Sequence, residues 1–189
     1  MESQKKHPRA FSFEFFPPKT PEGMAKLRAT WKQLIQLKPR FFSVTYGAGG
    51  STRDRTLEAV LEIQKDGGQA APHISCIGST RADIAATLEL YKAHGFRHIV
   101  ALRGDLPSGA ASAGELRYAS ELVQFIRQAC GDHFHIEVAC YPEFHPQART
   151  AADDLQAFKR KVEAGANADR KSTRLNSSHS DRSRMPSSA

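Results

Sequence analysis

The feature that most constrains this chain is a hydrophobic period that switches repeatedly between Phe11 and Ala164. Short β-branched or aromatic runs, which suit strands, alternate with longer runs whose apolar residues stand three and four apart, which suit amphipathic helices. Strand candidates lie at residues 11–15, 41–45, 71–76, 98–102 and 135–140. The helical stripes between and after them are Met24, Leu27, Trp31 and Leu34, then Leu57, Val60 and Leu61, then Ile84, Leu88 and Tyr91. Two more follow, Ala119, Leu122, Val123 and Ile126, and finally Leu155, Phe158 and Val162. Thr20-Pro21 supplies a cap with proline in the first turn, Ser79 or Thr80 caps the third helix, and Gly67-Gly68, Gly95 and Gly165 end helices.

Strict alternation of this kind forces parallel strand pairing with right-handed crossovers, which leaves an open doubly wound sheet or a closed (β/α)8 barrel. No strand-to-helix turn carries the G-x-G-x-x-G fingerprint of a dinucleotide fold. Polar residues gather instead just after several different strands: Glu14, Thr45-Tyr46, His73, Arg103-Gly104-Asp105, and Tyr141 with Glu143 and His145. That distribution suits the active face of a barrel. Five βα units cannot close eight, so the expectation is a (β/α)8 barrel truncated after about five units.

The shortfall coincides with a change of composition. Over 189 residues the chain is 40% apolar and 25% charged, the balance of a globular domain, but periodicity stops after Ala168. Seven of residues 169–189 are serine, and five are Arg or Lys against two Asp. Two segments are expected, an incomplete barrel at 1–168 and an unstructured basic tail at 169–189, whose wording resembles translated sequencing-adaptor DNA joined in frame. Only +4 of the formal +7 charge then belongs to the body, which has neither a basic stripe interleaved with aromatics nor zinc-finger spacing, so nucleic acid is not an expected partner. No apolar run approaches the ~20 residues of a membrane-spanning helix, and Lys5, Lys6 and Arg9 lead into no secretory apolar region. A cytoplasmic protein without membrane contact is expected. Cys76, Cys130 and Cys140, odd in number and at no metal-ligand spacing, suit reduced thiols.

Several strand-end motifs are specific in wording: Phe13-Glu14-Phe15-Phe16-Pro17-Pro18-Lys19, Ser43-Val44-Thr45-Tyr46-Gly47-Ala48, Ala71-Pro72-His73, Ala101-Leu102-Arg103-Gly104-Asp105-Leu106-Pro107 and Tyr141-Pro142-Glu143-Phe144-His145-Pro146. With Lys159-Arg160-Lys161 before Ala164-Gly165-Ala166, they closely resemble, in order and spacing, the bacterial methylenetetrahydrofolate reductases. The resemblance runs from about Ser12 to Asn167. It implies a barrel holding FAD non-covalently, which reduces 5,10-methylenetetrahydrofolate to 5-methyltetrahydrofolate with NADH or NADPH. It also implies a complete enzyme that is a homo-oligomer.

By the same resemblance Glu14 is the general acid for the folate N10, and Phe13, Phe15 and Phe16 are expected to desolvate its carboxyl. Asp105 is the aspartate beside the flavin and the bound pterin, both catalytic and substrate-binding. The implied FAD positions are Thr45, Tyr46, Ala48, His73, Arg103, Gly104 and Asp105, together with Tyr118, Ala119, Tyr141, His145, Ala148, Asp154, Arg160 and Lys161. Arg160 and Lys161 suit a pyrophosphate, whose charge a guanidinium and an ammonium neutralise together. Ala157 departs from relatives that carry asparagine there, and a sixth-strand glutamine and later substrate contacts have no counterpart. Read without the family, the same chain is also compatible with a non-catalytic partial barrel that acts only by associating with other subunits.

Overall fold

A computed structural model of the chain describes residues 11–47, 52–105, 114–141, 145 and 148–170. Its elements follow one another as β1 (Phe13–Phe15), α1 (Pro21–Leu34), β2 (Phe42–Val44), α2 (Arg53–Lys65), β3 (Ala70–Ser75) and α3 (Arg81–Ala93). They continue with β4 (His98–Leu102), α4 (Ala119–Cys130), β5 (His135–Ala139), α5 (Ala151–Glu163) and β6 (Ala168–Arg170). The strands form one parallel sheet in the order β1-β2-β3-β4-β5-β6, so each βα unit pairs with the next. This is part of an α/β barrel, one of the two architectures that the alternating periods leave.

Helix starts obey local chemistry. Thr20 accepts from the Gly23 amide with Pro21 in the first turn, and Thr80 forms a reciprocal capping box with Asp83, which settles the Ser79-or-Thr80 alternative. Thr150 caps α5 by accepting from the Asp153 amide. One element exceeds the sequence expectation. Asp169 and Arg170, assigned to the tail, pair with Val138 and Ala139 as β6, so the described residues hold six strands rather than five. Strand pairing needs only backbone groups, and the loss of an apolar pattern there hid a strand of which two of three side chains are charged.

Period two divides the sheet's residues between two cores. Phe42, Val44, Ile74, Ile99, Ala101, Ile136 and Val138 face the helices and pack with Trp31, Val60, Ile63, Leu88, Tyr91, Leu122 and Ile126. Phe41, Ala71, Val100 and Leu102 form a smaller apolar cluster on the inner, barrel side. The inner side also buries polar groups, Ser43, His73, Ser75 and Glu137. The sheet curls enough for the Arg170 side chain to cross that interior, placing its guanidinium 5.6 Å from the Phe41 ring and hydrogen-bonding Ser43 Oγ at 2.5 Å.

Candidate functional site

Most of the candidate side chains converge at the C-terminal ends of β4 and β5, where a cavity of about 410 Å³ opens. Its walls include Arg103 after β4, Tyr118, Ala119 and Ser120 at the start of α4, and Tyr141, His145 and Ala148 after β5. Arg149, Asp153, Asp154, Ala157, Arg160 and Lys161 complete it from the approach to α5 and from α5 itself. The spacing on α5 is helical: Asp153, Ala157, Arg160 and Lys161 fall three and four apart and share a face. Four cationic side chains against two carboxylates leave this wall electropositive.

Individual groups are held in place. Lys161 Nζ donates to the Ala139 carbonyl at 2.6 Å, at the very end of β5, and burial lowers its pKa from the usual lysine range. The Asp154 carboxylate accepts the His145 amide at 3.1 Å, and the His145 ring meets Tyr141 edge-on at 4.6 Å. Burial raises the Tyr141 pKa, with the charge of Asp105 acting in the same direction. Burial lowers that of His145, with Arg103 acting alongside, while Asp105 opposes it. Exposed Asp105 is therefore electrostatically coupled to this cavity from its rim.

Gly104 explains how the β4 end is presented. Its φ of +83° is left-handed, and a Cβ there would stand 2.9 Å from Ser75 Cβ and 3.0 Å from Ile77 Cγ2. The neighbouring Arg103 carbonyl accepts the Ile77 amide at 2.8 Å. Only glycine fits both the backbone sign and the space.

Glu14, Thr45, Tyr46, His73, Gly104 and Asp105 do not line the cavity. Glu14 and His73 belong to the barrel interior. His73 Nε2 stands 3.5 Å from Glu14 Oε2, yet neither ring nitrogen has a hydrogen-bond partner. Complete burial, reinforced by Arg170, lowers the His73 pKa to about 3 and keeps the ring neutral, so the contact is not an ion pair. Arg170 Nη1 lies 3.4 Å from the same Glu14 oxygen. The flanking rings do not surround this carboxyl. Phe13 and Phe15 stack on Phe42 in the helix-side core, and Phe16 is largely exposed, because alternate strand residues point to opposite faces.

After β2 the loop is tied to α2. Thr56 Oγ1 donates to the Thr45 carbonyl at 2.8 Å, and Thr52 Oγ1 accepts the Gly47 amide at 2.7 Å. Burial raises the pKa of Tyr46, whose hydroxyl bonds Thr87 on α3. Ala48 lies outside the described residues, as do Glu143 and the tail from residue 171. Sequence reasoning missed Ser120, Arg149 and Asp153 on the cavity wall. Arg149 and Asp153 flank the α5 cap, Thr150, so the same cap signal that starts the helix could have found them.

The fold and cavity define a class: a partial parallel α/β barrel with an electropositive cleft at its strand ends. Solved structures agree on the fold. The carboxyl transferase domain of Rhizobium etli pyruvate carboxylase matches 86% of this chain and 27% of its own with a TM-score of 0.57 at 14% identity. The phosphoenolpyruvate phosphomutase of Streptomyces platensis matches 90% and 62% with a TM-score of 0.56 at 11% identity. Sequence comparison goes further, because the methylenetetrahydrofolate reductase family model matches residues 1–171. The chain belongs to the methylenetetrahydrofolate reductase family. It is 47% identical over 157 residues to the 5,10-methylenetetrahydrofolate reductase of Salmonella typhimurium, covering 82% of this chain and 52% of that protein. It is 40% identical over 171 residues to methylenetetrahydrofolate reductase (NADH) 1 of Zea mays, covering 83% and 29%. The chain thus spans about half the length of the bacterial relatives it matches.

Proposed function

We propose that a barrel completed from this sequence reduces 5,10-methylenetetrahydrofolate to 5-methyltetrahydrofolate with NADH or NADPH, using non-covalently bound FAD, in the cytoplasm and as a homo-oligomer. The observation that carries the reading is the cavity. Nine of the positions implied to hold FAD, from Arg103 through Tyr118 and Tyr141 to Arg160 and Lys161, line one continuous wall. Its cationic excess suits a pyrophosphate, and the tyrosines offer planar faces beside it, so the residues present fit the cofactor. FAD bound there would supply the two-electron relay between nicotinamide and folate.

The chain's own residues would do the rest. Arg160 and Lys161 neutralise the pyrophosphate, the latter tethered to the Ala139 carbonyl. Asp105, on the exposed rim, takes the amino-pyrimidine edge of the folate. Glu14 delivers the proton to N10 that opens the imidazolidine ring. In this 189-residue chain, however, the Arg170 guanidinium stands against the Glu14 oxygen from which that proton would leave. The chain by itself is therefore proposed to be inactive.

The test is a chain completed to eight βα units. It is expected to purify yellow and to release FAD on denaturation; FMN, or no flavin after reconstitution, would defeat the assignment. Glu14→Gln is expected to keep flavin binding and reduction by nicotinamide, and to lose folate reduction by about 100-fold or more, the usual share of a general acid. A folate half-reaction at near wild-type rate would move the acid role to another group.

A further inference from the structure

At the opposite end of the strands from the cavity, His98 opens β4 and His135 opens β5, and the two are direct register partners. Glu137 lies two residues beyond His135, so strand alternation puts it on the same inner face. One ligand atom from each of the three lies within 4.8 Å of the others. His98 Nε2 approaches Glu137 Oε1 to 3.1 Å, and the two imidazoles meet at 4.7 Å between centroids.

Glu137 is buried, both histidines are partly buried, and the group is incompletely satisfied. Glu137 is 5% exposed, and the Nε2 atoms of both histidines are shut off from solvent without a hydrogen-bond partner. At 3.1 Å the His98–Glu137 pair is close enough for a hydrogen bond but is misaligned for one. Buried polar atoms are rarely left this way, because each gives up its hydrogen bonds to water with nothing in return. Here two imidazoles and a carboxylate converge, and neither Nε2 atom is satisfied by another group. Phe41 closes one side, its ring 4.2 Å from that of His98. The nearby Arg127 guanidinium is occupied by the carbonyls of Gly131, Phe134 and Gly165.

We propose that His98, His135 and Glu137 form a binding site for a divalent transition-metal ion, with zinc the best match, at the floor of the barrel. Two imidazoles and one carboxylate are a borderline-soft donor set suited to zinc, with a fourth position left for water. Zinc bond lengths of about 2.0–2.2 Å place tetrahedral ligand atoms roughly 3.4 Å apart. His98 and Glu137 already stand near that spacing at 3.1 Å, and one ligand atom of His135 lies within 4.8 Å of theirs. The ion would clip β4 to β5 at their N-terminal ends, a structural role at the face of a barrel that governs stability. The site shares no residue with the flavin cavity, and its outcome is independent of that reading.

The experiment uses the full 189-residue chain, kept soluble as a fusion free of added histidines. Zinc is titrated against a chromogenic chelator, and cobalt is substituted as a spectroscopic probe. One equivalent of tight binding is expected, with the visible absorption of four-coordinate cobalt and a higher urea midpoint in Trp31 fluorescence. His135→Asn and Glu137→Gln should each weaken binding roughly tenfold or more, while His94→Asn, at an exposed histidine elsewhere, leaves it unchanged. No binding in the micromolar range, or octahedral cobalt only, overturns the proposal. So does binding that persists in both variants, which would mark an adventitious ion at other histidines. The wild-type stoichiometry and cobalt spectrum decide the matter even where a variant fails to fold.

Discussion

His73 shows how a single residue reads differently in the chain and in the fold. In sequence it is a polar residue at a strand end; in the structure it is sealed in the barrel interior, its backbone carbonyl accepting the Tyr91 hydroxyl at 3.2 Å. Desolvation first, and Arg170 second, lower its pKa from 6.5 to about 3. The unfolded chain takes a proton below pH ~6.5, whereas the folded chain refuses it until near pH 3. Stability from this residue is therefore complete above pH ~6.5 and falls by about 1.4 kcal/mol for each pH unit below it. Urea unfolding of dilute protein, followed by the single and buried Trp31, is expected to show that slope between pH 7 and 5. His73→Gln should flatten it, and an unchanged slope would assign the acid sensitivity to other groups. Glu14 teaches the complementary lesson: its neighbours in sequence, Phe13 and Phe15, are on the other face, and its neighbours in space, His73 and Arg170, come from β3 and β6.

Elements are joined by contacts that no local pattern announces. Arg127, near the end of α4, donates to the carbonyls of Gly131, Phe134 and Gly165 and to Asn167 Oδ1 at 2.6–3.0 Å. Asn167 Oδ1 also accepts the Ile136 amide, so one arginine and one asparagine fasten α4, the entry to β5 and the entry to β6. Arg127→Met keeps the helical stem but orphans those carbonyls. It is expected to cost about 2–4 kcal/mol, read as a lower urea midpoint at unchanged slope. A change below about 0.5 kcal/mol would show that water replaces the guanidinium freely. The caps of α1 and α3, by contrast, were legible, because Thr20 and Thr80 act on amides within three residues of themselves; Thr150 works the same way on α5 and was not read.

At the scale of the whole molecule, β1 and β6 are the outer strands of the sheet, and neither pairs with a further strand among the described residues. Leu155 and Val162 on α5 are 65% and 49% exposed, and Phe16 beyond β1 is 63% exposed, although the same periodicity that marks α5 reads Leu155 and Val162 as apolar anchors. Open parallel edges beside exposed apolar side chains favour association. The 189-residue chain expressed alone is expected to run in light scattering above its 20.9 kDa monomer mass, increasingly so with concentration. Leu155→Glu with Val162→Glu should shift it toward the monomer. A concentration-independent monomer would mean that these surfaces are covered in solution.

The alternation of periods by itself determined the parallel α/β order, the helices and the strand-end motifs, because helix and strand formation depend on neighbours two to four residues away. The resemblance in those motifs determined the family. What only the tertiary structure decided was which strand ends share a wall. Arg103, Tyr141 and Lys161 meet at one cavity, while Glu14 and His73 turn into the interior, because sheet curl and strand pairing act between residues far apart in sequence. The sixth strand, the reach of Arg170 across the barrel and the convergence of His98, His135 and Glu137 likewise arise from register between strands, which no local pattern encodes.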